Sequence, residues 1–125
     1  ELFADIENII TFDNWDQCLL TVLEKIYQEK DFYISTINTN EQYFYHDLYN
    51  LAQKCFYDAI TKLDVNKTVS PQEKNFFSEF YAYGIAGTVL RWIKTNMKNE
   101  PAKLAHGLKK IATQSETFAA SLLNN

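Results

Sequence analysis

At 125 residues with a net charge of −4, the chain has the length of one domain with a single core that needs no disulfide staples. No stretch approaches the ~18 unbroken apolar residues of a membrane span, no signal peptide is visible, and the reading is a soluble cytoplasmic protein. Residues 1 to 50 carry ten Asp and Glu against two Lys, while residues 51 to 125 carry six against ten Lys and Arg. The acidic front half disfavours nucleic acid as a direct partner, because duplex binding rests on neutralising phosphates.

Three glycines and two prolines leave little material for sheets with tight turns, so the chain is expected to be all-α. Residues 1 to 10 look like a helix already under way, with Leu2, Phe3, Ile6, Ile9 and Ile10 on a stripe and no cap before them, as in a fragment. Asp13 or Asn14 can cap the next helix, whose inner face carries Trp15, Leu19, Val22, Leu23 and Ile26. The β-branched run at 31 to 37 has no strand to pair with and reads as a short helix or ordered turn. Thr39 and Gln42 have the spacing of a capping box for a long helix over 41 to 63, with Phe44, Tyr45, Leu48, Tyr49, Ala52, Cys55 and Phe56 on its apolar side.

Residues 64 to 69 form a polar loop. Behind it, Ser70, Pro71 and Glu73 announce a helix to about Met97 with a cap, a first-turn proline and a capping box. This helix is apolar on nearly every side. Phe77, Phe80, Gly84 and Gly87 lie on one line, Phe76, Tyr83 and Leu90 on a second, and Tyr81, Ile85, Val89 and Trp92 on a third. A helix on the surface of a monomer shows one apolar stripe, so one face is expected on the domain's own core and another on a partner. Asn99 is the expected cap of a last helix over 100 to 123, where Ala105, Ala112 and Ala119 recur every seven residues and allow close helix approach.

The search for catalytic chemistry is negative. There is no Glu-x-x-His pair, no glycine-rich phosphate loop and no nucleophile elbow. His46 and His106 stand apart from any ligand partner, and Cys18 and Cys55 read as buried reduced thiols. No metal or cofactor is expected, and a tyrosine-based helical enzyme lacks its base. Of 19 aromatic residues, twelve fall in the first 60 positions. Tyr33, Tyr45, Tyr49, Tyr81 and Tyr83 should lie on facing helices, either as ordinary core residues whose hydroxyls find a surface or backbone partner, or as the wall of a small-molecule cavity.

The order and spacing of Phe77, Phe80, Tyr83, Gly84, Gly87 and Trp92-Ile93, followed by Glu100-Pro101-Ala102 and Leu108, resemble the C-terminal domain of TetR/AcrR-family transcriptional regulators. The resemblance is good over residues 70 to 110 and looser before them. It implies a bundle of five to six helices whose last two pair with those of a second subunit in a four-helix bundle, while earlier helices enclose an effector site. On that basis a small apolar or aromatic effector would meet Trp15, Leu19, Tyr33, Tyr45, Leu48, Tyr49, Phe56, Phe80, Tyr83 and Gly84. The seam of a homodimer would be built from Val89, Trp92, Ile93, Ala105, Leu108, Ile111, Ala112, Phe118 and Leu122. The family's helix-turn-helix is missing from this sequence, so DNA would be reached only through a part outside it. The competing reading is a helical protein–protein interaction module with a solid core and no cavity.

Overall fold

The computed structural model describes residues 9–11 and 13–123, with side chains through Gln114, so the expected helix over residues 1 to 10 lies almost entirely outside the described residues. Within them the chain is all-helical: α1 spans Trp15–Gln28, α2 Lys30–Leu63, α3 Pro71–Lys94 and α4 Pro101–Leu123. Four helices are described against the expected five to six: the expected helix over residues 1 to 10 falls outside the described residues, and the 31 to 37 run and the 41 to 63 helix are two limbs of α2, joined at a kink where Asn40 has φ −136 and ψ 42. The capping box expected there does not form. Thr39 turns its hydroxyl backward and donates to the carbonyls of Ser35 and Thr36, the kind of back-bonding that often accompanies a bend in a helix.

Two other expected caps also differ. Asn14 holds the cap position of α1, but its side chain accepts from the Thr11 amide and donates to the Ile9 carbonyl instead of serving the helix. At α4 the Glu100 carbonyl receives the Lys103 and Leu104 amides, and Asn99 instead accepts the Trp92 indole N–H at 2.9 Å. The capping box of α3 is complete, with the Ser70 hydroxyl on the Glu73 amide and the Glu73 carboxylate on the Ser70 amide. That helix stops at Lys94, short of Met97. Asn96 and Met97 take left-handed φ values of 66 and 52, the Met97 amide donates to the Trp92 carbonyl, and the Met97 side chain swings back into the core at 1% exposure. A left-handed end of this kind satisfies helix carbonyls that would otherwise be orphaned.

Packing follows the small residues. α3 packs along α2: Ser78, Ala82, Ile85, Ala86, Val89, Trp92 and Ile93 are buried on the first, and Leu48, Leu51, Ala52, Cys55, Phe56 and Ala59 on the second. Alanines on both sides let the two axes come close. The buried Ser78 hydroxyl accepts from Gln53 of α2 and donates to the Asn75 carbonyl, so the polar group inside the contact is fully paired. α4 lies on α1, with Lys109 and Asp16 paired at 3.0 Å at the edge. Leu23, Ile26, Val89, Ile93 and Met97 form the least accessible part of the core.

Asp64, at the end of α2, organises the connection to α3. Its carboxylate accepts from the Thr68 and Val69 amides at 2.9 and 3.0 Å. Burial alone would raise its pKa, but those two amides, with Lys74 and the Thr68 hydroxyl, hold it below the ordinary carboxylate value. A carboxylate with a lowered native pKa stabilises the fold above the unfolded value of ~3.9 and loses that contribution as pH falls below it. Asp64→Asn is therefore expected to lower Tm at pH 7, with the gap to the parent narrowing toward pH 3 in circular-dichroism melts. An equal gap at both pH values would contradict this assignment.

Candidate functional site: an apolar cavity and an outward aromatic face

Where α1, α2 and α3 converge they leave a cavity of about 30 Å³ lined by Ile10, Trp15, Leu19, Val22, Leu48, Leu51, Ala52, Cys55, Phe56 and Ile85. The α1 residues recur at intervals of three and four, so Trp15, Leu19 and Val22 share the inner face of that helix. The second limb of α2 supplies the opposite wall in the same way. The Cys55 thiol and the Trp15 indole N–H are the polar groups among these side chains, and burial first, then Asp58, pushes the thiol pKa up to about 12. A space of that size holds a water only when polar partners surround it, so an apolar one stays dry. It is about a tenth of the ~300 Å³ at the lower end of drug-sized sites.

Of the residues expected to meet an effector, Trp15, Leu19, Leu48 and Phe56 line the cavity. Tyr33 is buried elsewhere, edge-on to Phe44 with ring centroids 6.4 Å apart. Tyr45 and Tyr49 are half-buried and stack on each other, and Tyr49 packs on Tyr83 at 4.6 Å. Burial, followed by Glu79 and Tyr83, raises the Tyr49 phenol to about 12. These tyrosines form a cluster between α2 and α3 that does not open into the cavity. Val22, Ala52, Cys55 and Ile85 were legible as apolar stripe but not as wall, because periodicity shows which side faces inward and not where packing leaves a gap.

The faces of α3 are the reverse of the expected ones. Phe80 and Tyr83, expected to turn inward, are 67% and 58% exposed, and Phe76 beside them is 75% exposed. Gly84 lies on the same outward side. Val89, Trp92 and Ile93, expected at a subunit seam, are instead buried within the protomer, where Trp92 stacks on Tyr27 at 6.3 Å. On α4, Ala105 and Ala112 are buried against the protomer, Leu108 is half-buried and Ile111 is exposed. The side chains of Phe118 and Leu122 lie outside the described residues. Ile85, Ala86 and Val89 go inward because the line they share with Ser78 and Ala82 is the one narrow enough for α2 to approach.

Cavity and outward face are joined by aromatic rings. Trp15 meets Phe56 at 5.8 Å, Phe56 stacks on Tyr81 at 5.4 Å, and Tyr81 contacts Phe77 and Phe80 at 4.9 and 5.4 Å. A separate open groove of about 510 Å³ runs beside the Asn40 kink, lined mainly by polar side chains and spanned by the Glu41–Lys94 ion pair. Among the described residues there is no cluster of three His, Cys, Asp or Glu able to hold a metal, and no helix long and apolar enough to cross a membrane.

No curated protein matches the chain. A family model described as "Transcriptional regulator C-terminal region" matches residues 13–114, which takes in α1 to α3, every cavity-lining residue but Ile10 and most of α4. With more than three quarters of its length inside that match, the all-helical chain belongs to the C-terminal regulatory domains of TetR-family transcriptional regulators.

Proposed function

We propose that this chain is the sensing and dimerising part of its regulator, binding a small uncharged apolar or aromatic effector between α1, α2 and α3. Occupancy would be passed to a helix-turn-helix outside this sequence. The observation that carries the reading is the cavity itself, walled by three helices whose side chains there are uncharged and almost wholly apolar. A charged effector would be stripped of water there without compensation. At about 30 Å³ the cavity takes a very small ligand as it stands, and a larger one by displacing Phe56 or Trp15. Dimerisation would use the outward faces of α3 and α4, where Phe76, Phe80, Tyr83 and Ile111 are exposed. An effector acts by binding one arrangement of the dimer better than another. Half-sites one helical turn apart, ~34–36 Å, make small changes in domain angle sufficient.

The small size of the cavity also favours a second reading, an interaction module whose core takes no ligand. Thermal-shift measurements with benzene, toluene and indole separate the two. A ligand at a hundred times its Kd stabilises by about 2.7 kcal/mol, which is several degrees in Tm for a domain of this size. Ala52→Leu, which places three more carbon atoms against the cavity, should abolish that shift. No shift with any probe, or hits equally strong in Ala52→Leu, would favour the solid-core module.

A further inference from the structure

One part of the cavity wall is not helical. Every described lining residue except Ile10 belongs to α1, α2 or α3, whereas Ile10 lies on the stretch that leads into α1. Its neighbours Ile9 and Thr11 are exposed while Ile10 is half-buried against the core, so this strap lays a single side chain over the cavity. The helical walls hold one another through buried apolar side chains spread along their length. Residues 9 to 11 have far less to hold them.

Their fastening is Asn14. Its side-chain oxygen accepts from the Thr11 amide at 2.7 Å, and its side-chain amide donates to the Ile9 carbonyl at 2.9 Å. The Asn14 backbone amide adds a bond to the Thr11 carbonyl at 3.3 Å. The two side-chain bonds thus grip the strap on either side of Ile10. Asn14 holds the cap position of α1 yet makes no cap bond there, so its side chain serves the strap and not the helix. Both side-chain bonds are exposed. Water replaces exposed hydrogen bonds at small net cost, and segments held in this way are the first to open locally. We infer that residues 9 to 11 are a gate over the cavity, with Ile10 as its plug and Asn14 as its latch, through which small apolar molecules enter and leave. The inference gives the effector reading above its route of access, and the gate can be tested without an effector.

Cys55 supplies the probe, because its thiol lines the cavity and the residue is only 3% exposed. The experiment follows labelling of Cys55 by methyl methanethiosulfonate, read by intact mass, in a Cys18→Ala chain that leaves one thiol. Asn14→Ala removes the latch without removing a helix cap, and Ile10→Ala removes the plug but keeps the latch bonds. Each should speed labelling about tenfold or more, the worth of one or two exposed hydrogen bonds or a lost apolar contact. Asp64→Asn, which lowers stability without touching the strap, should leave the rate unchanged. A rate that either strap variant leaves as it was, or that Asp64→Asn raises as much, would overturn the gate. The thiol would then be reached by another path or by global unfolding. Faster labelling in both strap variants, together with no thermal shift from benzene, toluene or indole, would keep the gate and remove the effector reading.

Discussion

Phe80→Glu is expected to convert the proposed dimer to monomers while leaving the protomer's helicity and melting temperature essentially unchanged. The two effects separate because of where the side chain sits. Phe80 is 67% exposed in the protomer, on a helix whose backbone suits glutamate well. Exposed substitutions of this kind usually fall within about 0.5 kcal/mol of the parent. In the proposed dimer a two-fold axis would bring two carboxylates into an apolar seam at once. A buried charge without a partner costs about 3–5 kcal/mol, so the dissociation constant should rise by well over a hundredfold. Sedimentation velocity at micromolar concentration reads the change, and circular dichroism checks the fold. An unchanged dimer would place the seam on another face.

Trp92→Ala should do the opposite, destabilising the fold without attacking the seam. Trp92 is 5% exposed, stacks on Tyr27 and donates its indole N–H to the Asn99 carbonyl. Truncation leaves a cavity and an unpaired carbonyl in the turn that reverses the chain from α3 to α4. Large aromatic-to-alanine changes in cores cost about 3–5 kcal/mol, on the order of 10 °C in Tm for a domain of this length. Below the lowered transition the protein should keep the parent's dimer mass. Dissociation of a still-folded Trp92→Ala protein would return this residue to the seam.

Much of the architecture was legible in the sequence, and the reasons differ by element. The start of α3 was readable because Ser70, Pro71 and Glu73 each act locally, through bonds within one turn. The same logic failed at Thr39, because its hydroxyl had carbonyls of the preceding turn within reach and bonded there. Met97 escaped the helix expectation because its left-handed φ is held by Trp92 and by burial, neither of which is local in composition.

The faces of α3 were the harder problem. All three of its lines are apolar, so hydrophobicity could not rank them. The discriminating signal was size. Ser78, Ala82 and Ala86 share a line with Ile85, Val89 and Ile93, and that line admits α2, while the line with the bulky rings does not. Gly84 and Gly87 gave no guide, since both face open space in the protomer. The cavity was half legible for a related reason. Trp15, Leu19, Leu48 and Phe56 were recognisable as inward residues, but a gap among inward residues depends on side-chain fit that periodicity does not encode.

The cavity and the outer face also meet through Phe56 and Tyr81. A ring packed against a void has room to shift, whereas one in a filled core does not. Any coupling between effector and dimer must be reciprocal in free energy, so a probe that stabilises the chain should also change its dimer dissociation constant.

The central claim is that a second copy covers the outer face of α3. Sedimentation equilibrium of the unmodified chain at tens of micromolar tests it most directly. The expected result is twice the chain mass of 14.6 kDa. A single 14.6 kDa species there, with Phe76, Phe80 and Tyr83 left open to water, would contradict it.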